Sequence, residues 1–161
     1  DPSCDTPSCL AFSCANTGED GEYQRGAAWP SPRFIDNGKG TITDRLTGLM
    51  WQQDGSYNAT NWSDAFTRIA ALNSSALGGH SDWRLPNINE LASLVNYEQS
   101  NPATWLNTQG FINVVNFYWS ATNSAFNTVN AWYVVMTEGN VYNVGDKMNN
   151  GYYVIAVRGG Q

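Results

Sequence analysis

Residues 117–158 read FYWSATNSAFNTVNAWYVVMTEGNVYNVGDKMNNGYYVIAVR, and the fold is decided by how this tract is read. Trp119, Trp132, Val134, Val141, Val154 and Val157 recur in it at strand-like intervals, the pattern of a buried framework. Glu138-Gly139-Asn140 is a turn signal between two runs of strand formers, Ala131–Thr137 and Val141–Gly145. If Trp132, Val134 and Met136 face the core, strand alternation sends Tyr133, Val135 and Thr137 to the other face. With Val141 inward, Tyr142 and Val144 likewise point outward. The outward set, which also includes Asp146 and Met148, shares no chemistry, as a recognition surface on a fixed frame would not. Exposed Tyr and Val on one sheet face mark an interaction site, unless a second layer such as the N-terminal arm or another subunit covers them.

Upstream, RFIDNGKGTITDRLTGLMW (residues 33–51) reads as three short strands. Its turns are at Asp36–Gly40 and Leu46–Gly48, where Gly and Asn supply positive φ. The oxygens of Asp36, Asn37 and Asp44 match no EF-hand spacing and read as a solvated turn. In NWSDAFTRIAAL (61–72), Asn61 is the N-cap of a helix with Trp62, Ala65, Phe66, Ile69 and Leu72 on one face. A second helix, Ile88–Tyr97, starts at Asn87 with Glu90 completing a capping box. Asp82 and Arg84 flank Trp83 as an expected ion pair, and Asn101–Val115 reads as a long connection. Strands, two helices, then strands predict an α+β domain with the helices segregated from a small antiparallel sheet. Its bounds are 31–161, after a Cys-, Gly- and Pro-containing arm over 1–30.

Composition narrows the function. Apolar residues make up 42% of the 161 and charged residues 14%, the balance of a globular chain with a core. The formal charge is −6, and beyond residue 117 Lys147 and Arg158 are offset by Glu138 and Asp146. With no basic patch, binding to nucleic acid or a polyanion is not expected. No apolar run is long enough to span a membrane. Cys4, Cys9 and Cys14 all lie in the arm; one disulfide with one free or intermolecular thiol suits a secreted protein. No nucleophile elbow, P-loop or dinucleotide motif occurs, and the lone His80 sits in a Gly-rich turn. The expectation is therefore no catalytic residue, no metal and no cofactor.

Four motifs in order, RFIDNGKGTITDRLTGLMW, GGHSDWRLPNINEL (78–91), YWSAT (118–122) and the terminal VRGGQ, resemble the family of the Legionella collagen-like protein C-terminal domain. The resemblance covers roughly residues 18–161. The Arg-Leu-Pro stretch and the closing Val-Arg-Gly-Gly are also similar to the wider formylglycine-generating-enzyme-like group, which implies a C-type lectin-like fold. The catalytic cysteines of those enzymes have no counterpart here. Ile69 and Ala156 stand where many relatives carry Cys, which implies packing in place of a disulfide. The sulfated-polysaccharide binding of the collagen-like protein is not carried over to so acidic a chain. Some family members resemble the variable proteins of diversity-generating retroelements, in which Asn codons near the C-terminus are rewritten. Asn123, Asn127, Asn130, Asn140, Asn143, Asn149 and Asn150 resemble the remnant of such a tract.

The resemblance implies an extracellular or cell-surface domain that binds a macromolecular ligand, protein or glycan, without catalysis. Its expected contacts are Asn123, Phe126, Asn127, Tyr133, Val135, Thr137, Glu138, Tyr142, Val144, Asp146, Met148, Asn149 and Tyr152. A carbohydrate-binding adhesin domain is the alternative.

Overall fold

The computed structural model describes Gly18 and residues 28–159. The expectations for Cys4, Cys9 and Cys14, and for most of the 1–30 arm, lie outside the described residues. The architecture is α+β, with three α-helices and two sheets among the described residues.

The first sheet contains β1 (Phe34–Gly38), β2 (Thr41–Asp44), β3 (Met50–Gln52) and β9 (Val157–Arg158), in that order and antiparallel throughout. The second contains β4 (Tyr57–Asn58), β8 (Tyr153–Val154), β5 (Phe117–Asn123), β6 (Asn130–Val135) and β7 (Asn140–Asp146), in that order, with only the β5–β8 pair parallel. One small sheet is thus corrected to two. The run Val154–Arg158, expected as one strand, is divided between them: β8 ends in the second sheet and β9 begins in the first. Gln52 holds the crossing, its N–H donating to the Ala156 carbonyl (2.9 Å) and its Oε1 accepting from Ala156 N–H (3.1 Å).

Helix α1 (Trp62–Ser74) starts where the capping signal predicts: Asn61 Oδ1 accepts from Asp64 N–H at 2.9 Å. Helix α2 (Ile88–Ala92) starts at Asn87 with the full capping box but ends five residues earlier than the expected Tyr97. Helix α3 (Pro102–Thr108) occupies what reads as a connection, capped by Asn101 with Pro at its first turn.

Two cores result, one on each face of β5–β6. The first joins both sheets to α2 and α3 through Trp51, Leu91, Leu94, Leu106, Phe111, Tyr118, Val134 and Met136. The second lies beneath α1 and includes Ala65, Ile69, Leu72, Trp83, Trp119, Tyr133, Val135 and Ala156. Ile69 and Ala156 share this second core as packed apolar groups.

Asp82 and Arg84 do not pair with each other. Arg84 exchanges backbone hydrogen bonds with Val157, and its guanidinium forks onto Glu90 (2.7 and 2.6 Å). Asp82 instead accepts from Arg158 (2.8 and 3.1 Å). Both ion pairs therefore tie the Trp83 segment to something else, β9 in one case and α2 in the other. At the far side, Arg33 and Asp44 form a buried bidentate pair (3.0 and 2.8 Å), and Arg33 also donates to the Ser93 carbonyl at 2.7 Å. Asp44 is thereby removed from any set with Asp36, whose oxygens cap Gly38 N–H and accept from Gln53.

Candidate functional site

Beta strands 5, 6 and 7 stack their side chains in register. Phe117 lies opposite Val135, Trp119 opposite Tyr133, and Tyr133 opposite Tyr142, so all of these share one face. A row of rings crosses that face. Tyr142 stacks on Tyr133 (5.5 Å, 29°), Tyr133 meets Tyr152 (4.8 Å), and Tyr152 stacks on Phe117 (5.1 Å, 21°). Trp119 lies beneath, 4.5 Å from Tyr152 and fully buried. Gly145 is required there, because a Cβ at that position would come within 2.5 Å of the Trp119 ring.

The row is graded in exposure. Tyr133 is 9% exposed and Val135 only 3%, while Tyr142 is 41% and Phe117 36% exposed. The expectation that Tyr133 and Val135 are outward contacts is therefore corrected. Alternation does place them opposite Val134 and Met136, but the second core, to which α1 contributes, covers that face. Residues of the domain itself, Ala65, Ile69 and Leu72 of α1 among them, belong to that cover. Burial also acts on the hydroxyls. Desolvation pushes the Tyr133 phenol up and, with the neighbouring Tyr133 adding to it, raises Tyr152 to about 12, against the opposing hydrogen bond that Tyr152 accepts from Asn150 Nδ2 at 2.7 Å.

The end of the sheet beyond this row is built by two loops tied to the start of α1. Lys147 Nζ donates to Asn123 Oδ1 and the Thr128 carbonyl (both 2.6 Å) and sits 4.6 Å over the Trp62 ring. Trp62 answers through its backbone N–H to the Lys147 carbonyl (3.0 Å) and its Nε1 to the Ser120 carbonyl (2.8 Å). In the 146–150 turn, Asp146 accepts from Asn149 Nδ2 and from the N–H groups of Met148 and Asn149, which hold its carboxyl below the usual range. In the 124–130 loop, Ser124 Oγ and Asn127 Oδ1 accept from the backbone N–H groups of Asn127 and Val129. With the backbones of both loops held, the large apolar side chains left outside are Phe126 (95% exposed), Met148 (77%) and Val129 (59%), beside Val144 (60%) of β7.

The other expected contacts distribute as follows. Asn123, Asn127, Glu138 and Asn149 are exposed, and Asp146 and Tyr152 are half-buried. Thr137 is half-buried and donates to Asn116 Oδ1 at 2.7 Å. Glu138 stands at the hairpin turn with Asn140 Nδ2 on its carboxylate (2.9 Å). Gly139 (φ 76°) closes that turn against Val95, where a Cβ would come within 2.9 Å of the valine methyl. Sequence reasoning missed Val129 and Phe117 as exposed apolar groups, and Lys147 as the post that holds both loops. Lys147 is the lone lysine of the 117–158 tract, which was the available signal.

The frame behind these side chains has a known counterpart. Residues 40–158 match the family model of the Lcl C-terminal domain, which is most of the chain. The chain belongs to the Lcl C-terminal domain family. Among curated proteins, none matches it. The Lcl C-terminal domain match begins in the β1–β2 turn and ends in β9, so it takes in the second sheet, the first sheet apart from β1, and the three described helices. It thus includes the whole ring row and both loops. No helix among the described residues of this Lcl C-terminal domain is long and apolar enough to cross a membrane. His80, its one histidine, terminates a 3₁₀ turn (Leu77–Gly79) by donating its N–H to the Leu77 carbonyl and packs its ring against Trp83.

Proposed function

We propose that this domain is a non-catalytic binding module of an extracellular or cell-surface protein. Its ligand surface is formed by Tyr142 and Val144 of β7, Phe126 and Asn127 of one loop, and Met148 and Asn149 of the other. The observation that carries this reading is the contrast between backbone and side chain in one region. Asn123, Thr128, Asp146 and Lys147 knit the loop backbones together, yet the apolar side chains they display are largely in water. Exposed apolar groups of this size, gathered on a rigid support, favour association.

The same contrast supports variability of the kind found in proteins diversified by retroelements. Of the seven asparagines in the tract none is buried; Asn123, Asn127, Asn140 and Asn149 are exposed, and Asn130, Asn143 and Asn150 half-buried. Codons rewritten at such positions would change the surface and spare the core. A near-copy of the 3′ coding sequence beside a reverse transcriptase gene, differing only at adenines, is the expected genomic signature; a complete genome without one removes the retroelement.

Binding is tested by displaying the domain to protein and glycan arrays, with and without a chelator. The expected ligand is retained in chelator and lost by the triple variant Tyr142→Ala, Val144→Ala, Met148→Ala, whose thermal unfolding stays near the parent's. A ligand whose capture survives that triple variant overturns the assigned surface. Loss of binding on chelation, with a glycan as ligand, favours a metal-dependent adhesin instead.

A further inference from the structure

Strand β7 is the last strand of its sheet, and among the described residues no strand pairs with its outer side. An edge strand offers unpaired N–H and C=O groups to any extended chain that can reach it. From Asn140 to Tyr142 it is in regular register with Val135, Val134 and Tyr133; the register then shifts before Gly145. A short regular ladder followed by a bulge suits a short added segment better than a long flat one. Two carboxylates flank the ladder, Glu138 in the hairpin turn and Asp146 at the strand's end. The nearest cation, Lys147, is already engaged by Asn123, Thr128 and the Trp62 ring.

We propose that the outer edge of β7 takes up an extended, basic peptide segment of a partner protein as an added strand, with a lysine or arginine laid over the Tyr142 ring. This deepens the binding reading above and rests on it. The ring row Phe117–Tyr152–Tyr133–Tyr142 runs across the sheet towards this edge, so an added strand supplies its next rung. A residue opposite Tyr142 would have its Cβ about 5 Å away on the same face, within reach of the exposed ring for a long cationic side chain. A second copy of this chain is the poorer occupant. Antiparallel self-pairing centred on Asn143 sets Asp146 of each copy beside Asn140 of the other, two residues from its Glu138, and like charges across a ladder repel.

The test uses the full chain and three synthetic peptides: alternating lysine and valine, the same with glutamate for lysine, and the first with alternate backbone nitrogens methylated. Titration and amide hydrogen exchange are read together. The lysine peptide should bind at least about tenfold tighter than either control and slow exchange across Asn140–Asp146; Tyr142→Ala should weaken it by about tenfold, the worth of a partly desolvated cation–π contact. Equal binding of the methylated or acidic peptide overturns the proposal. So does slow exchange of the outward β7 amides in the free chain, which would mean that the edge is already paired. If an array ligand depends on Tyr142, Val144 and Met148 but leaves β7 exchange unchanged, strand addition fails while the binding surface stands.

Discussion

Tyr133 and Tyr142 stack on one another from adjacent strands, and replacing each by alanine separates frame from surface. Tyr133 is almost wholly buried, in edge contact with Trp119 and packed in the core beneath α1. Its truncation removes a buried ring and leaves a cavity that the rigid strands cannot close, a loss of about 3–5 kcal/mol. For a chain of this length each kcal/mol lowers Tm by about 2–4 °C, so the expected fall is about 6–20 °C. Tyr142 is 41% exposed and keeps one ring partner. Its truncation forfeits that stacking and a fraction of the burial, about 0.5–1.5 kcal/mol. Tyr133→Phe removes the hydroxyl that interacts with the Tyr152 side chain and should cost about 1 kcal/mol, the net worth of one hydrogen bond. Differential scanning calorimetry on all three variants, with ligand capture read in parallel, makes the comparison. Tyr142→Ala should weaken capture by about tenfold with little change in Tm. If the two alanine variants unfold at the same temperature, the graded ring row is not the boundary between scaffold and site, and the reasoning fails.

Three further outcomes follow from the geometry. Asp44→Ala strands the buried Arg33 guanidinium and should cost about 3–5 kcal/mol in chemical denaturation, whereas Arg33→Met with Asp44→Leu should recover much of that loss; equal losses in both would refute the pair's role. Gly145→Ala drives a methyl group into Trp119 and should destabilise by about 1–3 kcal/mol, visible as a changed near-UV tryptophan signal; an unchanged Tm would mean that β7 gives way instead. Glu90 is held below its ordinary value of 4.5, chiefly by the Arg84 fork and also by Asn87 N–H. A depressed carboxyl stabilises the fold fully above that ordinary value and loses its contribution as pH falls through the lowered one. Glu90→Gln should therefore flatten the acid limb of the stability–pH curve below about pH 4.5, and an unchanged limb would exclude this pair from acid unfolding.

What the sequence determined by itself was local. Asn61 and the Asn87–Glu90 pair announce helix starts because a capping side chain acts within three residues of itself. The turns at Asp36–Gly40 and Glu138–Asn140 are legible because positive φ is written in Gly, or in the few residues that tolerate it. Helix α3 was written just as locally, in Asn101-Pro102, but its seven residues are too few for a periodic stripe to stand out. Alternation likewise sorted Tyr133 and Val135 to one face and Val134 and Met136 to the other.

Only the tertiary structure decided what lies over each face. A strand's period of two says which side chains travel together, and nothing about whether a helix packs above them. Here α1 and its neighbours cover the inner part of the face, so Tyr133 and Val135 join the frame while Tyr142 and Val144, one strand further out, remain in water. The ion pairs follow the same rule. Arg84 and Asp82 are adjacent in sequence to a buried tryptophan, but their partners, Glu90 and Arg158, are chosen by where α2 and β9 come to rest. The residues of the site could be gathered from one tract of sequence; the division of that tract into support and surface could not, because burial belongs to the packed molecule.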